Sequence, residues 1–157
     1  MQPLDLGLNV AVMRIASRLF PLGFDVTEHA PASYEELKEH LDAGKRLIVY
    51  SGGSDNTIYG DREVNWHFRA WHDWCHYHGQ YGLTFDGEAA VCALQSQHLI
   101  SLYGDGPDTR RWSRIIHAEI IGQAQFYRWH KRFPDDQRGF ITAYLRNSQD
   151  ALLWSLW

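Results

Sequence analysis

Residues 65–78 read NWHFRAWHDWCHYH, with four histidines, three tryptophans and one aspartate in fourteen positions. Val64, Phe68, Trp71 and Cys75 recur at three- and four-residue intervals, the period of a helix lying on an apolar core. Asn65, Arg69, His72 and His76 recur with the same period and form a polar stripe beside it. Two histidines one helical turn apart can aim their imidazoles at a single point, the usual way in which a helix offers a pair of nitrogen ligands. His67 and His78 fall off that stripe and are expected at the surface or in packing. A solvated polar face would produce the same stripe, so the flanking segments have to decide between the two.

The next segment, GEAAVCALQSQHL (87–99), is apolar nearly all round and contains one acid, Glu88, with Gln95 on the same face two turns later. Further on, Trp112, Ile115, Glu119, Gln123 and Phe126 share a mostly apolar stripe, while Arg110, Arg114, His117 and Arg128 share a basic one. A carboxylate held in an apolar setting without a partner is costly, and a cation removes that cost. Glu88 and Glu119 are therefore expected to converge with His72 and His76 on a divalent metal ion, with zinc, manganese, magnesium and iron all open. The rival arrangement is a buried Glu119–Arg69 pair. Trp71 is expected between helices. Trp66 and Trp74 flank the ligand stripe, either walling a pocket or filling a contact to the N-terminal helix or to a second subunit.

Outward from this centre the chain reads as mainly α, a helical bundle of about five to six helices. Helices are predicted over 4–20, 33–43, 61–76, 84–102, 108–132 and 136–146, from apolar periodicity and from caps at Ser33, Asp61, Thr84 or Asp86, Asp108 and Asp135. The capping-box pattern is Ser33 followed by Glu36. RLIVY (46–50) breaks the helical period and reads as a strand. SGGSDN (51–56) is turn chemistry, and TIY (57–59) pairs back, giving a small β-hairpin near residues 46–59. The apolar tail DALLWSLW (150–157) docks on the bundle. No linker divides the chain, so residues 1–157 are expected to form a single metal-binding helical domain.

The chain has 157 residues, 45% of them hydrophobic, enough to bury a core. The net charge of −4 argues against a generally cationic nucleic-acid binder but leaves room for a nucleotide-sized substrate held through a metal. Seven Trp, eight Tyr and seven Phe are an excess that packing or base stacking would use. Cys75 and Cys92 form no CxxC pair and fit two buried thiols in a reducing compartment. The first twenty residues lack the marks of a secretion signal, and no run approaches the roughly 20 apolar residues that span a bilayer. A cytoplasmic protein is expected, with no membrane partner and with homo-oligomers allowed.

Three resemblances bear on function. HDWCH (72–76) resembles the HDxxH of HD-domain phosphohydrolases, which bind a divalent metal and activate water on a phosphate ester. That resemblance implies further ligands, for which His40 and either Glu119 or Asp136 would have to serve. The same string resembles the HExxH of zincin metallopeptidases. There the resemblance implies Glu88 as the third ligand, with Asp73 in place of the usual glutamate base. The wider pattern N..FRAWHDWCH, GE followed by alanines, and E..GQ in AEIIGQ, over roughly 61–126, is similar to a family of small proteins from bacteriophages and mobile elements. It marks Asn65, Arg69, His72, Asp73, His76, Glu88, Glu119 and Gln123, and would place the protein in the host cytoplasm.

A ferritin-like di-iron centre is excluded by the absence of its Glu-x-x-His pairs, whereas a mononuclear iron site with two histidines and one carboxylate is compatible. SGGSDN lacks the lysine of a P-loop. The sequence therefore reads as a divalent-metal-dependent hydrolase of phage type, with phosphoester or nucleotide substrates ahead of peptides. His72, His76, Glu88 and Glu119 would be the ligands, Asp73 the base or a further ligand, and Arg69 the neutraliser of developing phosphate charge. Asn65 and Gln123 would support the ligands from behind. The alternatives are a zincin-like peptidase and a non-catalytic virion or host-interaction protein with a polar core.

Overall fold

In the computed structural model, residues 1–153 and 156–157 are described. The helices begin where side chains can take up the free amides of a first turn. Asp5 accepts from Leu8 N to open α1 (Leu6–Leu19), and Ser33 accepts from Glu36 N to open α2 (Tyr34–Asp42). Asp61 opens α3 (Arg62–Gly79) and Thr84 opens α4 (Phe85–Tyr103) in the same way. Asp136, one residue later than expected, opens α7 (Gln137–Arg146). The Glu36 carboxylate reaches back to Ala32 N at 2.8 Å, which lengthens the expected capping box by one residue.

The third central helix departs from its prediction in two ways. It starts on Gly106 and Pro107, with no cap from Asp108, and runs as α5 (Pro107–His117). It then passes through a π-helical turn, Ala118–Gly122, before resuming as α6 (Gln123–His130). Such turns carry one extra residue per turn and are frequent at functional sites. Here the turn holds Glu119, Ile120 and Ile121 in the interior together. The tail adds a helix that was not expected, α8 (Ser148–Leu153), and Ala151, Leu152 and Trp157 pack on the main core. Trp154 and Ser155 of the expected tail lie outside the described residues.

The expected β-hairpin is corrected. β1 (Asp25–Thr27) and β2 (Ile48–Tyr50) pair in parallel, with Val26 opposite Val49 and α2 as the crossover that parallel pairing requires. Thr57–Tyr59 is instead a buried turn whose carbonyls are already engaged. Leu4 N donates to Ile58 O at 2.7 Å, Asn9 Nδ2 to Tyr59 O at 2.8 Å and an Arg138 guanidinium nitrogen to Thr57 O at 3.2 Å.

α3 is the axis of the molecule, packed against α1, α2, α4 and β2. Its apolar stripe enters the main core, where Trp71 and Cys75 are fully buried with Val12 of α1, Leu99 of α4 and Ile116 of α5. A smaller core of Leu37, Leu47, Val49 and Ala70 joins the strands and α2 to the opposite side of α3. The polar stripe lies between these two cores and faces α4 and the π turn. Among the described residues no helix is long and apolar enough to cross a membrane.

Candidate metal centre

His72, His76 and Glu88 come together where α3 meets the first turn of α4. His72 Nε2 and His76 Nε2 are 3.0 Å apart. Glu88 Oε2 lies 3.0 Å from the first, and Glu88 Oε1 lies 3.3 Å from the second. Nitrogen and oxygen ligands about 2.0–2.2 Å from one zinc-sized ion would stand about 3 Å from each other, so the spacing suits a single ion. Among the described residues no other group of three or more potential ligands gathers in this way.

The outer ring nitrogens explain why the inner ones converge. His76 Nδ1 sits 2.8 Å from the Tyr81 carbonyl, which can only accept, so Nδ1 carries the proton and Nε2 keeps its lone pair. His72 Nδ1 is held 3.0 Å from Gln95 Oε1 and, as that amide is oriented, also donates. Two imidazole lone pairs and a carboxylate then face one another, and only a proton or a metal cation can relieve that arrangement. Without metal the proton goes to His72. Burial alone would lower its pKa, but the hydrogen bond and charge of Glu88 prevail and raise it to about 8. Glu88 shows the converse: burial pushes it up, while the hydrogen bond and charge of the protonated His72 win and bring it down to about 2.

Gly87, just before Glu88, sets the approach of α4. A Cβ there would lie 1.8 Å from the Gly82 carbonyl oxygen, so only glycine lets the 80–84 loop lie against the helix start. That loop supplies the Tyr81 carbonyl. The side chain of His76 is fully buried, while those of His72 and Glu88 are 18% and 21% exposed. The cluster therefore has one open side. It faces a cleft of about 730 Å³ that also contains Asp73, Arg69 and Glu119.

The remaining expected site residues separate into two groups. Asp73 and Glu119 line the cleft but stay outside the three-residue cluster. Burial raises both carboxyls, Asp73 to about 6 despite the nearby histidine charge and Glu119 to about 7 despite the nearby charge of Arg69. The fourth expected ligand is thus a neighbour of the cluster and not part of it. The Gln123 amide donates to the Glu119 main-chain carbonyl at 3.0 Å and so supports the π turn, not a ligand.

Arg69 and Asn65 act on the 50–54 loop. Arg69 donates to the carbonyls of Tyr50 and Gly52, both at 2.6 Å, and to that of Gly53 at 3.4 Å. Asn65 donates to Ser54 Oγ at 2.8 Å, and Trp66 Nε1 donates to the Ser51 carbonyl at 3.1 Å. Gly53 takes a left-handed φ of +62° within this clamp. Asn65 and Arg69 of the N..FR motif thus shape one wall of the cleft, while the Phe68 ring stacks on that of His72 with centroids 6.1 Å apart.

His40 and Asp136 are elsewhere. His40 Nε2 contacts the Arg46 carbonyl at 2.6 Å, and Asp136 is occupied by Asn56 and by the start of α7. The three tryptophans of α3 also lie away from the cleft. Trp71 is fully buried and donates to His98 Nδ1 at 2.9 Å. Trp66 packs on the smaller core, and Trp74 lies 4.2 Å from the ring of His78 beside the end of α1. Cys75 and Cys92 are free and buried, and burial pushes their thiols up to about 12 and about 11. No protein-family model, curated protein or solved structure matches this chain.

Proposed function

We propose that the protein is a mononuclear divalent-metal-dependent hydrolase, with His72, His76 and Glu88 as ligands and phosphoesters, nucleotides included, as its substrates. The observation that carries this reading is the convergence of three acceptor atoms on one point with a single open side, at the floor of a cleft. When bound there, a divalent ion supplies Lewis acidity, making water a better nucleophile and polarising the scissile group. The chain supplies the proton traffic. In the metal-free chain burial raises Asp73 to about 6 and Glu119 to about 7, an order that suits Asp73 to take a proton from water and Glu119 to give one to the leaving oxygen. Arg69 is committed to loop carbonyls and fixes the cleft wall. Arg128 lines the cleft on the other side, has no carboxylate partner among the described residues, and is the cation available to a phosphate.

A peptidase reading uses the same three ligands. It is favoured by the third ligand being the glutamate of the following helix, with His40 and Asp136 remote. The test is hydrolysis of bis-p-nitrophenyl phosphate, a nucleotide panel and a peptide panel with added Mn²⁺, Zn²⁺ or Fe²⁺. Phosphoester turnover that Asp73→Asn removes without loss of metal supports the proposal. Turnover of peptides alone replaces it with the peptidase, and no turnover of any substrate by the metal-loaded protein overturns it.

A further inference from the structure

A second cleft, of about 1140 Å³, opens beyond Phe85 between α4, α5 and α7. Phe85 lines both clefts, and α4 contributes Glu88 to the first and Ala89, one position on, to the second. The basic side chains that line the second cleft are Arg114, His117 and Arg146, and no carboxylate lines it. Neither arginine makes a hydrogen bond or ion pair among the described residues, although Arg110, on the same stripe, is paired with Asp105. Arg128 stands over the Phe85 ring at 5.3 Å, at the boundary between the two clefts. A chain with net charge −4 has thus collected unpaired cations along one path that leads to the candidate metal centre.

The geometry points to a single-stranded oligonucleotide as the substrate, its backbone following the path from the metal cleft past Arg128 and Phe85 to Arg114 and Arg146. This rests on the phosphoester reading above and names the substrate class for that site. A cationic groove with aromatic side chains along it is the arrangement that holds single strands without reading their sequence. The phosphates of a nucleoside triphosphate share bridging oxygens and are too close together to straddle the Phe85 ring. Oligonucleotide phosphates are separated by a nucleoside, so one can meet Arg128 over that ring while others reach Arg114 and Arg146.

The experiment is fluorescence anisotropy of labelled decathymidylate with the full chain in EDTA, where hydrolysis cannot interfere. The Arg114→Ala/Arg146→Ala double variant should bind at least about tenfold more weakly, and its log Kd against log salt should flatten by about 1.4, since each neutralised phosphate of a single strand contributes about 0.7. Both side chains are exposed and unbonded, so the melting temperature should not move. Arg110→Ala should bind like the wild type. Equal binding by the double variant overturns the inference, as does thymidine triphosphate competing as well as the oligonucleotide, which would mean a site for one anionic group. Because binding is read without metal, a failure of the hydrolase reading would appear only in the turnover assay.

Discussion

At the scale of single residues, the His72–His76–Glu88 cluster depends on groups outside it. Gln95 fixes which nitrogen of His72 faces inward, and support of this kind is worth 10–100-fold in metal affinity. Gln95→Leu should therefore weaken metal binding by about that factor while His72 remains in place, measured by competition with a chelating dye. Unchanged affinity would mean that Gln95 only packs. Gly87→Ala should be worse than its size suggests, because the new Cβ meets the Gly82 carbonyl and displaces the loop that carries Tyr81. We expect the fold to survive with a lowered melting temperature and metal affinity to fall more than for Gln95→Leu. The three-residue cluster was legible in the sequence because two histidines one turn apart share a face and an acid in an apolar helix needs a partner. The position of Gln95 was legible too, two turns from Glu88, but its partner was not. The Tyr81 carbonyl left no sequence signal, since any residue could supply it.

At the scale of elements, the long polar stripe of α3 divides into two parts, a converging histidine pair at its C-terminal end and a loop clamp at its N-terminal end. Periodicity shows that Asn65, Arg69, His72 and His76 share a side, but it cannot show what lies opposite each. The clamp depends on the fork of a guanidinium reaching several carbonyls, which a lysine cannot reproduce. Arg69→Lys should thus cost about 1–3 kcal/mol, the scale of carbonyls losing charged donors, and should speed hydrogen exchange at residues 51–54. Wild-type exchange rates there would contradict the clamp. The hairpin expectation failed on range. Only the IVY of RLIVY is a strand, and its partner is the three-residue DVT before α2, too short for an alternation pattern to reveal, while the buried turn at Thr57–Tyr59 has the apolar character of a strand. The π turn was also hidden, because a helix with one inserted residue has nearly the composition of one without.

At the scale of the whole molecule, the buried charges link stability, pH and metal. Asp73 and Glu119 have folded pKa values above their ordinary 3.8 and 4.5, so their ionisation opposes folding, and the cost grows from pH about 4 until both are ionised above about 7. His72 has a raised value, so its stabilising pair with Glu88 is fully present below its ordinary 6.5 and is lost as pH rises through about 8. Glu88, with a lowered value, stabilises above its ordinary 4.5, and that contribution disappears as pH falls through about 2. The metal-free protein should accordingly be most stable near pH 5, where its melting temperature should peak, and lose stability steadily to pH 8.5. Added metal should raise the melting temperature most at the alkaline end. A metal-free melting temperature that climbs from pH 5 to 8 would contradict these assignments.

The same proton provides the most direct test of the metal centre. An ion can enter only when His72 Nε2 gives up its proton, so binding should release about one proton per ion at neutral pH. Affinity should rise about tenfold per pH unit up to about 8 and then level off. The measurement is metal content and calorimetric metal titration of protein purified without an affinity tag, in two buffers of different ionisation enthalpy. One divalent ion should bind per chain, with proton release that falls away above pH about 8 and with binding lost in His76→Ala. Protein that carries no metal, and binds none of Zn²⁺, Mn²⁺ or Fe²⁺ at pH 8, would contradict it.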